Sequence, residues 1–324
     1  GLLFCIELVR ELLLGGVKTI VAFTSWNFVR DHPELQWPAL PWTVVASGAM
    51  LLGYALSGRW LAIMAGFATI YIAVFGQWEP AMQTLSFVLI AAPISFLLGL
   101  TLGVLAFRSR KVEAALTPLL NVAQTMPHFS YLVPVMVMFG VGDHAGAIAT
   151  IIFATPPMVR LTILGLKKVP LEVIEAGMMS GCTDRQLLLK VMIPTARRDI
   201  LMGVNQVIMQ CLALAVIASF IGAKGLGFNL LLSLNQLRIG QALELGICIV
   251  LIAVVLDKLS LAWANKKTDY FADLGYAQRH KYGLLFLAIL LGGILLAYIG
   301  TFLFGEGINY FYLIPHNKGI TTED

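Results

Sequence analysis

Charged residues are scarce in this 324-residue chain: 12% are Asp, Glu, Lys or Arg, 59% are hydrophobic, and the mean hydropathy is +0.85. Soluble domains usually carry about a quarter charged residues. The composition therefore excludes an ordinary soluble protein and predicts a polytopic integral membrane protein. The net charge of +4 does not indicate nucleic-acid binding, because the 22 Lys and Arg residues lie in loops between apolar runs and not on one face.

Motifs for several other chemistries are also missing. The 4 cysteines are scattered without a C-x-x-C pair, so neither a disulfide framework nor a zinc site is predicted. The 5 histidines are isolated and no H-E-x-x-H occurs, which argues against a metal site or a hydrolase. No nucleophile, base and metal are grouped as in an enzyme. No G-x-x-x-x-G-K-[ST] loop is present, so any ATP would have to be bound by another subunit.

The stretch 169–194 predicts an elbow of two short helices between apolar runs. Pro170 suits the first position of a helix, because its missing N–H would have no partner there. Gly181 stops that helix, because a residue after the helix end needs a positive φ that glycine adopts at little cost. Thr183 and Gln186 then form a capping-box pattern that opens a second helix.

A carboxylate beside two small residues marks the first elbow helix. Ala176 and Gly177 would let a partner surface approach the backbone, and Glu175 offers it a charge. The pattern E-A-G-x-x-x-G, nine residues, then V-x-I-P resembles the E-A-A-x-x-x-G-x9-I-x-L-P signature of ABC importer permeases, with Gly177, Val191 and Ile193 as conservative departures. The resemblance implies that the elbow docks on a separate ATPase. The predicted coupling residues are Glu175, Ala176, Gly177, Gly181, Thr183, Asp184, Arg185 and Pro194.

Apolar runs predict an all-α, polytopic helical bundle, and the resemblance implies the ABC type I importer permease fold with an extra C-terminal span. Four units are predicted. They are an amphipathic or interfacial N-terminal segment with its connection over 1–38, a transmembrane hairpin over 39–80, a permease core over 81–264, and a C-terminal part over 265–324 with a linker, a span at 283–304 and an outer tail. Whether 2–23 spans or lies on the membrane stays open. Within the core, one continuous apolar run over 114–139 is predicted to form a single span.

Basic residues predict the orientation of the bundle. Under alternating spans, most Lys and Arg residues, including Lys111, Lys190 and Lys267, fall on one side, whereas Lys224 and Lys318 fall on the other. The richer side is expected in the cytoplasm. The elbow is therefore predicted to be cytoplasmic.

Polar residues inside apolar runs are candidates for a translocation path. The first group, in a predicted span, is Asn205, Gln206 and Gln210. The second group, at a predicted kink, is Gln124, Thr125 and Pro127. Each group has an alternative interpretation, because the amides could be interhelical hydrogen-bond partners and the residues before the kink could be a local cap.

A glycine-rich loop follows the predicted span that begins near residue 200. Gly222, Gly225 and Gly227 would let the backbone turn sharply at the outer end of that span. Loops at such ends commonly carry binding functions. The resemblance to importer permeases implies an outer binding protein, and these glycines are predicted to form its docking loop.

Further stretches resemble one subfamily, the permeases of glycine betaine/proline betaine importers, over about residues 40–262. They include Gln124-Thr-Met-Pro-His-Phe-Ser-Tyr-Leu-Val-Pro, Ile152-Phe-Ala-Thr-Pro-Pro-Met and Gly225-Leu-Gly. The resemblance implies a homodimer of permeases in a bacterial inner membrane, two ATPase copies that hold ATP and magnesium, and a periplasmic or extracellular substrate-binding protein. This chain would hold no cofactor and would not be an enzyme. The solute would be a quaternary ammonium or related osmolyte, with choline, carnitine and trimethylamine N-oxide also within the family.

An autonomous secondary carrier or channel for a small polar solute is the alternative. Proton-coupled carriers are expected to bury ionisable groups, whereas charges near the predicted spans are few and Arg160 lies close enough to the cytoplasmic side to snorkel. No second, inverted half is visible either. Transport by the reconstituted chain without ATP would favour the carrier.

Overall fold

A computed structural model describes residues 42–265 of the chain, and this part is built from helices without a strand. The predicted segments 1–38 and 283–304 lie outside the described residues. The helices are α1 Trp42–Ser57, α2 Arg59–Val74, α3 Trp78–Arg108, α4 Arg110–Thr125, α5 His128–Phe139, α6 Asp143–Lys167, α7 Leu171–Met179, α8 Asp184–Gln186, α9 Ile193–Thr195, α10 Arg197–Ile217, α11 Leu226–Asn235 and α12 Ile239–Asn265. A π-helical segment, Leu187–Met192, joins α8 to α9, and a 3-10 turn, Ala218–Ile221, extends α10.

Four helices in the described part are long and apolar enough to cross a membrane: α3, α6, α10 with its 3-10 turn, and α12. At 1.5 Å per residue, helices of about 20 residues or more span the hydrocarbon core of a bilayer. α6 packs between α3 and α10, and α10 also packs against α12. The predicted all-α, polytopic bundle is confirmed.

Small residues bring α3 and α6 into close contact. Ser95, Gly99 and Gly103 lie four residues apart on one face of α3, and the Ser95 hydroxyl donates to a backbone carbonyl of α6 at 3.3 Å. A Cβ atom on Gly99 would lie 2.5 Å from Cβ of Met158, and one on Gly103 would lie 2.6 Å from Cβ of Thr162. Small-x-x-x-small faces of this kind allow membrane helices to pack at short range.

The predicted single span over 114–139 is wrong. α4 ends before Met126, whose φ of −68° and ψ of 135° are extended, and α5 begins after Pro127. A residue that precedes proline is pushed out of the α region by the proline ring. The run is therefore two helices of 16 and 12 residues, each too short to cross a bilayer by itself.

Candidate functional site

The elbow between α6 and α10 begins with a helix, a left-handed turn and a capping box. Gly181 has a φ of 76°, which confirms the predicted turn. The Thr183 N–H donates to Oε1 of Gln186 at 3.0 Å, and the Gln186 N–H donates to Oγ1 of Thr183 at 3.5 Å, so the predicted capping box is confirmed. Pro170 lies just before α7 and not at its first position, because its ψ of 142° is extended.

The second part of the elbow is not the regular helix that was predicted to run to Pro194. It is helical throughout, but its middle, Leu187–Met192, is π-helical, and the Ile193 N–H donates to the carbonyl of Leu188, five residues back. Proline has no N–H to donate to the carbonyl four residues earlier. A π-turn before Pro194 fits this missing donor, and such turns often occur at functional sites.

Gly177 contacts the chain itself. It is buried, and a Cβ atom there would lie 2.6 Å from Cδ1 of Leu187 and 3.5 Å from Cγ2 of Val191. The prediction that Gly177 lies against a partner is therefore wrong: its small size lets α7 pack onto the second part of the elbow. Glu175 and Ala176 are exposed, as are Asp184 and Arg185.

Apolar side chains are exposed on the same short helix. We call Leu171, Met178 and Met179 the elbow patch; Met179 is 90% exposed. Exposed apolar groups beside the acidic Glu172 and Glu175 favour a protein contact over a purely solvated surface. The sequence analysis missed this patch, although the Met178-Met179 pair in an otherwise soluble-looking segment was a signal for it.

Two ion pairs attach the base of α6 to its neighbours. Lys167 pairs with Glu113 of α4, and Lys168 pairs with Asp199 of α10 at 3.3 Å. A Cβ atom on Gly165 would lie 2.9 Å from Cβ of Asp199. Exposed pairs such as these contribute only about 0–1 kcal/mol each, so the close backbone approach, more than the charges, holds the end of α6 against the start of α10.

Asn205 does not line a path. It is 6% exposed, and its amide nitrogen donates to Oδ1 of Asp257 at 2.9 Å and to Oγ of Ser260 at 2.7 Å. These bonds join α10 to α12. The prediction of a path residue is wrong here, and the alternative of an interhelical hydrogen bond holds.

The other path candidates remain on exposed or half-buried surface. Gln206, Gln124, Thr125 and Pro127 are exposed, and Gln210 is half-buried. Within residues 42–265 no hydrogen bond joins the amides of α10 to those of α4. An amide at membrane depth is costly against lipid, so this surface is expected to meet water or another chain.

A double-mutant cycle tests the role of Asn205. Asn205→Ala and Asp257→Ala should each lower the stability of the purified protein, with a coupling of about 0.6 kcal/mol and at most about 1.7 kcal/mol, the average and the maximum for hydrogen bonds between membrane helices. Thermal unfolding of the variants in a mild detergent, monitored by circular dichroism, would measure this coupling. Gln206→Ala, on the exposed surface of the same helix, is the control. A coupling near zero, with transport lost in Asn205→Ala alone, would restore the path assignment.

The glycine loop after α10 is partly buried. Gly222 and Gly225 have φ values of 79° and 135°, as a sharp turn requires. Gly227 lies in α11, where a Cβ atom would be 2.7 Å from the carbonyl oxygen of Val216. Gly225 and Gly227 are buried and Gly222 is half-buried, whereas Lys224, between Gly222 and Gly225, is exposed. The docking role of this loop stays a prediction, and a partner would contact the residues around the glycines more than the glycines themselves.

Hydrogen bonds hold this loop to two spans. The Lys224 N–H donates to Oδ1 of Asp143, at the start of α6, at 2.6 Å. The Leu226 N–H donates to Oγ1 of Thr84 of α3 at 2.9 Å. The loop thus has a defined position relative to the ends of α3 and α6.

We expect Gly225→Val to impair uptake while the ATPase stays attached. Its Cβ would lie 2.6 Å from Oγ1 of Thr84, and the positive φ adds about 1–3 kcal/mol of backbone strain. Thr84→Val, which removes the hydroxyl but keeps the shape, should have a smaller effect, of about 1–3 kcal/mol on stability. Uptake and co-purification assays on both variants would show it. Normal uptake by Gly225→Val would make the loop a mere connector.

A buried carboxylate was missed by the sequence analysis. Glu244 of α12 is 2% exposed and is the single charged residue in the buried core of the described part. It lies near Tyr71 of α2 and Cys248, close enough for electrostatic interaction. Charges near the spans were expected to be few, and Glu244 is a buried exception that the glutamate within A-L-E-L-G-I signals in the sequence. No group of three or more His, Cys, Asp or Glu residues within 42–265 could hold a metal ion.

The comparisons with known proteins concern the same bundle. The chain is 62% identical over 321 residues to a trimethylamine N-oxide transport system permease protein of Pelagibacter ubique, covering 99% of this chain and 45% of that protein. It is 46% identical over 293 residues to the protein of the same description in Ruegeria pomeroyi, covering 89% and 44%. The chain thus spans less than half the length of these two relatives.

Other matches cover most of a relative or give the fold. The chain is 42% identical over 268 residues to the glycine betaine/proline betaine transport system permease protein of Escherichia coli, covering 76% of each. A chain of a methionine ABC transporter in an inward-facing conformation matches the fold with a TM-score of 0.52 at 21% identity, over 61% of this chain and 98% of that one. Residues 95–266 match the family model described as "Binding-protein-dependent transport system inner membrane component". The resemblance inferred from the elbow is confirmed, and the chain belongs to this family of transport permeases.

Proposed function

We propose that this chain is the membrane-spanning permease part of an ATP-driven importer of trimethylamine N-oxide or of a quaternary ammonium osmolyte. The names of two relatives support the solute, at 62% and 46% identity. Glycine betaine and proline betaine, named for a relative at 42% identity, are the other candidates. The chain spans under half of the first two relatives, so the solute and partners of the whole protein are part of the proposal.

The observation that carries the proposal is the elbow patch. A cytoplasmic segment that exposes apolar side chains and connects two spans directly suits docking on an ATPase. Glu175 would meet a basic group beside the patch, and ATP with magnesium would be held by the ATPase. Closure of two ATPase copies would then move α6 and α10 through the elbow, because both helices are fixed to it.

The exposed polar surface of α10 supports a second copy of the permease. Gln206 and Met202 are exposed on the same face of this span. If α10 faced a second copy of the chain across a passage, the Gln206 amide would not lie against lipid, where it is costly. A homodimer in the bacterial inner membrane, with a binding protein at the glycine loop, completes the proposed assembly.

Reconstitution with a partner ATPase and binding protein tests the proposal. Uptake of labelled trimethylamine N-oxide should need ATP, and Met179→Glu should abolish both uptake and co-purification of the ATPase. Val112→Glu, an exposed apolar residue at the start of α4, is the matched control and should retain both. Uptake without ATP, or a Met179→Glu variant that still binds the ATPase, would contradict the proposal; uptake of glycine betaine alone would correct only the solute.

A further inference from the structure

A groove opens on the side of the bundle between α2 and α12. Its volume is about 780 Å³, within the roughly 300–1,000 Å³ typical of ligand sites. Its walls are mostly apolar, with Trp60, Met64 and Phe67 of α2 facing Leu261 of α12. Trp60 is 75% exposed and Phe67 60%. These walls suit hydrocarbon chains.

Polar groups line the part of the groove near the ends of α1 and α12. Ser57 is the last residue of α1, Asn265 is the last residue of α12, and Lys258 lies two turns before it. Arg59, at the first position of α2, is exposed close by in sequence. The groove therefore combines an apolar trough with a cationic end.

The charge of Lys258 is not neutralised within the described part. Lys258 is exposed, and no ion pair between residues 42 and 265 includes it. The carboxylate of the adjacent Asp257 accepts a hydrogen bond from Asn205 instead. An ammonium group beside an apolar trough calls for an anionic partner that also carries apolar chains.

The polar end of the groove lies at the same end of the bundle as the elbow, where the lipid headgroups of that leaflet are expected. Asn205, in the first half of α10, bonds to Asp257 near the end of α12, so the end of α12 lies at the same end of the bundle as the elbow. That end is rich in Lys and Arg, which is typical of the cytoplasmic side. Anionic lipids in the cytoplasmic leaflet are attracted to basic groups near the membrane surface, and basic pockets between spans bind their headgroups.

We propose that this groove binds one anionic phospholipid of the cytoplasmic leaflet. The acyl chains lie against Trp60, Met64 and Phe67, and the phosphate accepts hydrogen bonds from Lys258. The proposal depends on the membrane location of the chain and not on the transported solute.

Retention of lipid by the purified full chain tests this site. The protein would be taken from nanodiscs of phosphatidylcholine with and without phosphatidylglycerol, and bound lipid would be identified by native mass spectrometry. The parent should retain phosphatidylglycerol in preference to phosphatidylcholine. Lys258→Gln should lose about fivefold of that preference, the contribution of one cation near an anionic surface. Lys111→Gln, an exposed lysine at the start of α4, is the matched control and should lose none.

A second variant tests the apolar part and does not depend on the charge. Met64→Trp should fill the trough and lower retention of both lipids while Lys258 is kept. Equal retention of the two lipids by the parent, or an unchanged preference in Lys258→Gln, would overturn the proposal. So would a photo-reactive amino acid at position 60 that cross-links to residues 283–304 of the chain and not to lipid.

Discussion

Replacing Gly181 with valine should uncouple uptake from ATP hydrolysis while the ATPase stays attached. Gly181 has a φ of 76°, and nothing in the described part lies within 4 Å of a Cβ atom placed there. The penalty is therefore one of backbone conformation and not of collision. It amounts to about 1–3 kcal/mol, which would reduce the population of the native turn by about 5–150-fold.

Asparagine at the same position gives the matched control. Asn adopts the left-handed conformation more readily than other non-glycine residues, so Gly181→Asn should keep most of the uptake that Gly181→Val loses. The measurements are co-purification of the ATPase and substrate-stimulated ATP hydrolysis in proteoliposomes. Equal loss in both variants would mean that the residue matters through something other than its φ angle, and full activity of Gly181→Val would remove the elbow from the coupling mechanism.

Leucine at Gly99 should prevent assembly of the bundle. Even a Cβ atom there would lie 2.5 Å from Cβ and Cγ of Met158 and 3.2 Å from the carbonyl oxygen of Thr155. Overpacking of this kind typically costs about 1–3 kcal/mol. Here the cost should be larger, because α3 and α6 must separate along a shared face before leucine fits. Yield of monodisperse protein and thermal unfolding in detergent would measure the loss.

Gly246 offers a control of the same chemistry. It lies in α12, and nothing among residues 42–265 comes within 4 Å of its added Cβ atom. Gly246→Ala should therefore stabilise the helix by about 0.4–1 kcal/mol, through the restricted unfolded chain. Gly99→Ala should destabilise the protein, so the two alanine variants are expected to have opposite signs. If both stabilise, α3 and α6 do not pack as closely as described.

Patterns carried by neighbouring residues could be predicted from the sequence. Gly181 and the Thr183–Gln186 capping box depend only on local backbone geometry, and both were correct. The apolar runs that form α3, α6, α10 and α12 underlie the predicted polytopic bundle, because a span needs only length and hydropathy. The break of 114–139 at Pro127 is also set locally, because the residue before a proline leaves the α region, but the apolar run continues across it and by itself predicts a single span.

Contacts between distant segments could not be predicted in the same way. Gly177 looked like a residue for a partner because its small size was visible, whereas the Leu187 that fills the space is set by how the elbow folds back. Asn205 could have faced a passage or another helix, and only the position of Asp257 on α12 decided it. Helix facing is fixed by packing across the whole bundle, which a hydropathy pattern does not determine.

α6 connects the two faces of the membrane as one continuous helix that is held at both ends. Its last turn lies close against the start of α10 at Gly165 and Asp199, and its first residue, Asp143, accepts a hydrogen bond from the glycine loop. A displacement at one face of the membrane thus reaches the other along one helix, without a relay of side chains. The helix bends most easily near its middle, at Pro156 and Pro157, because these residues lack the N–H donors of two helical hydrogen bonds. A displacement along the axis of α6 would therefore reach its other end, whereas a displacement across the axis would bend the helix at these prolines.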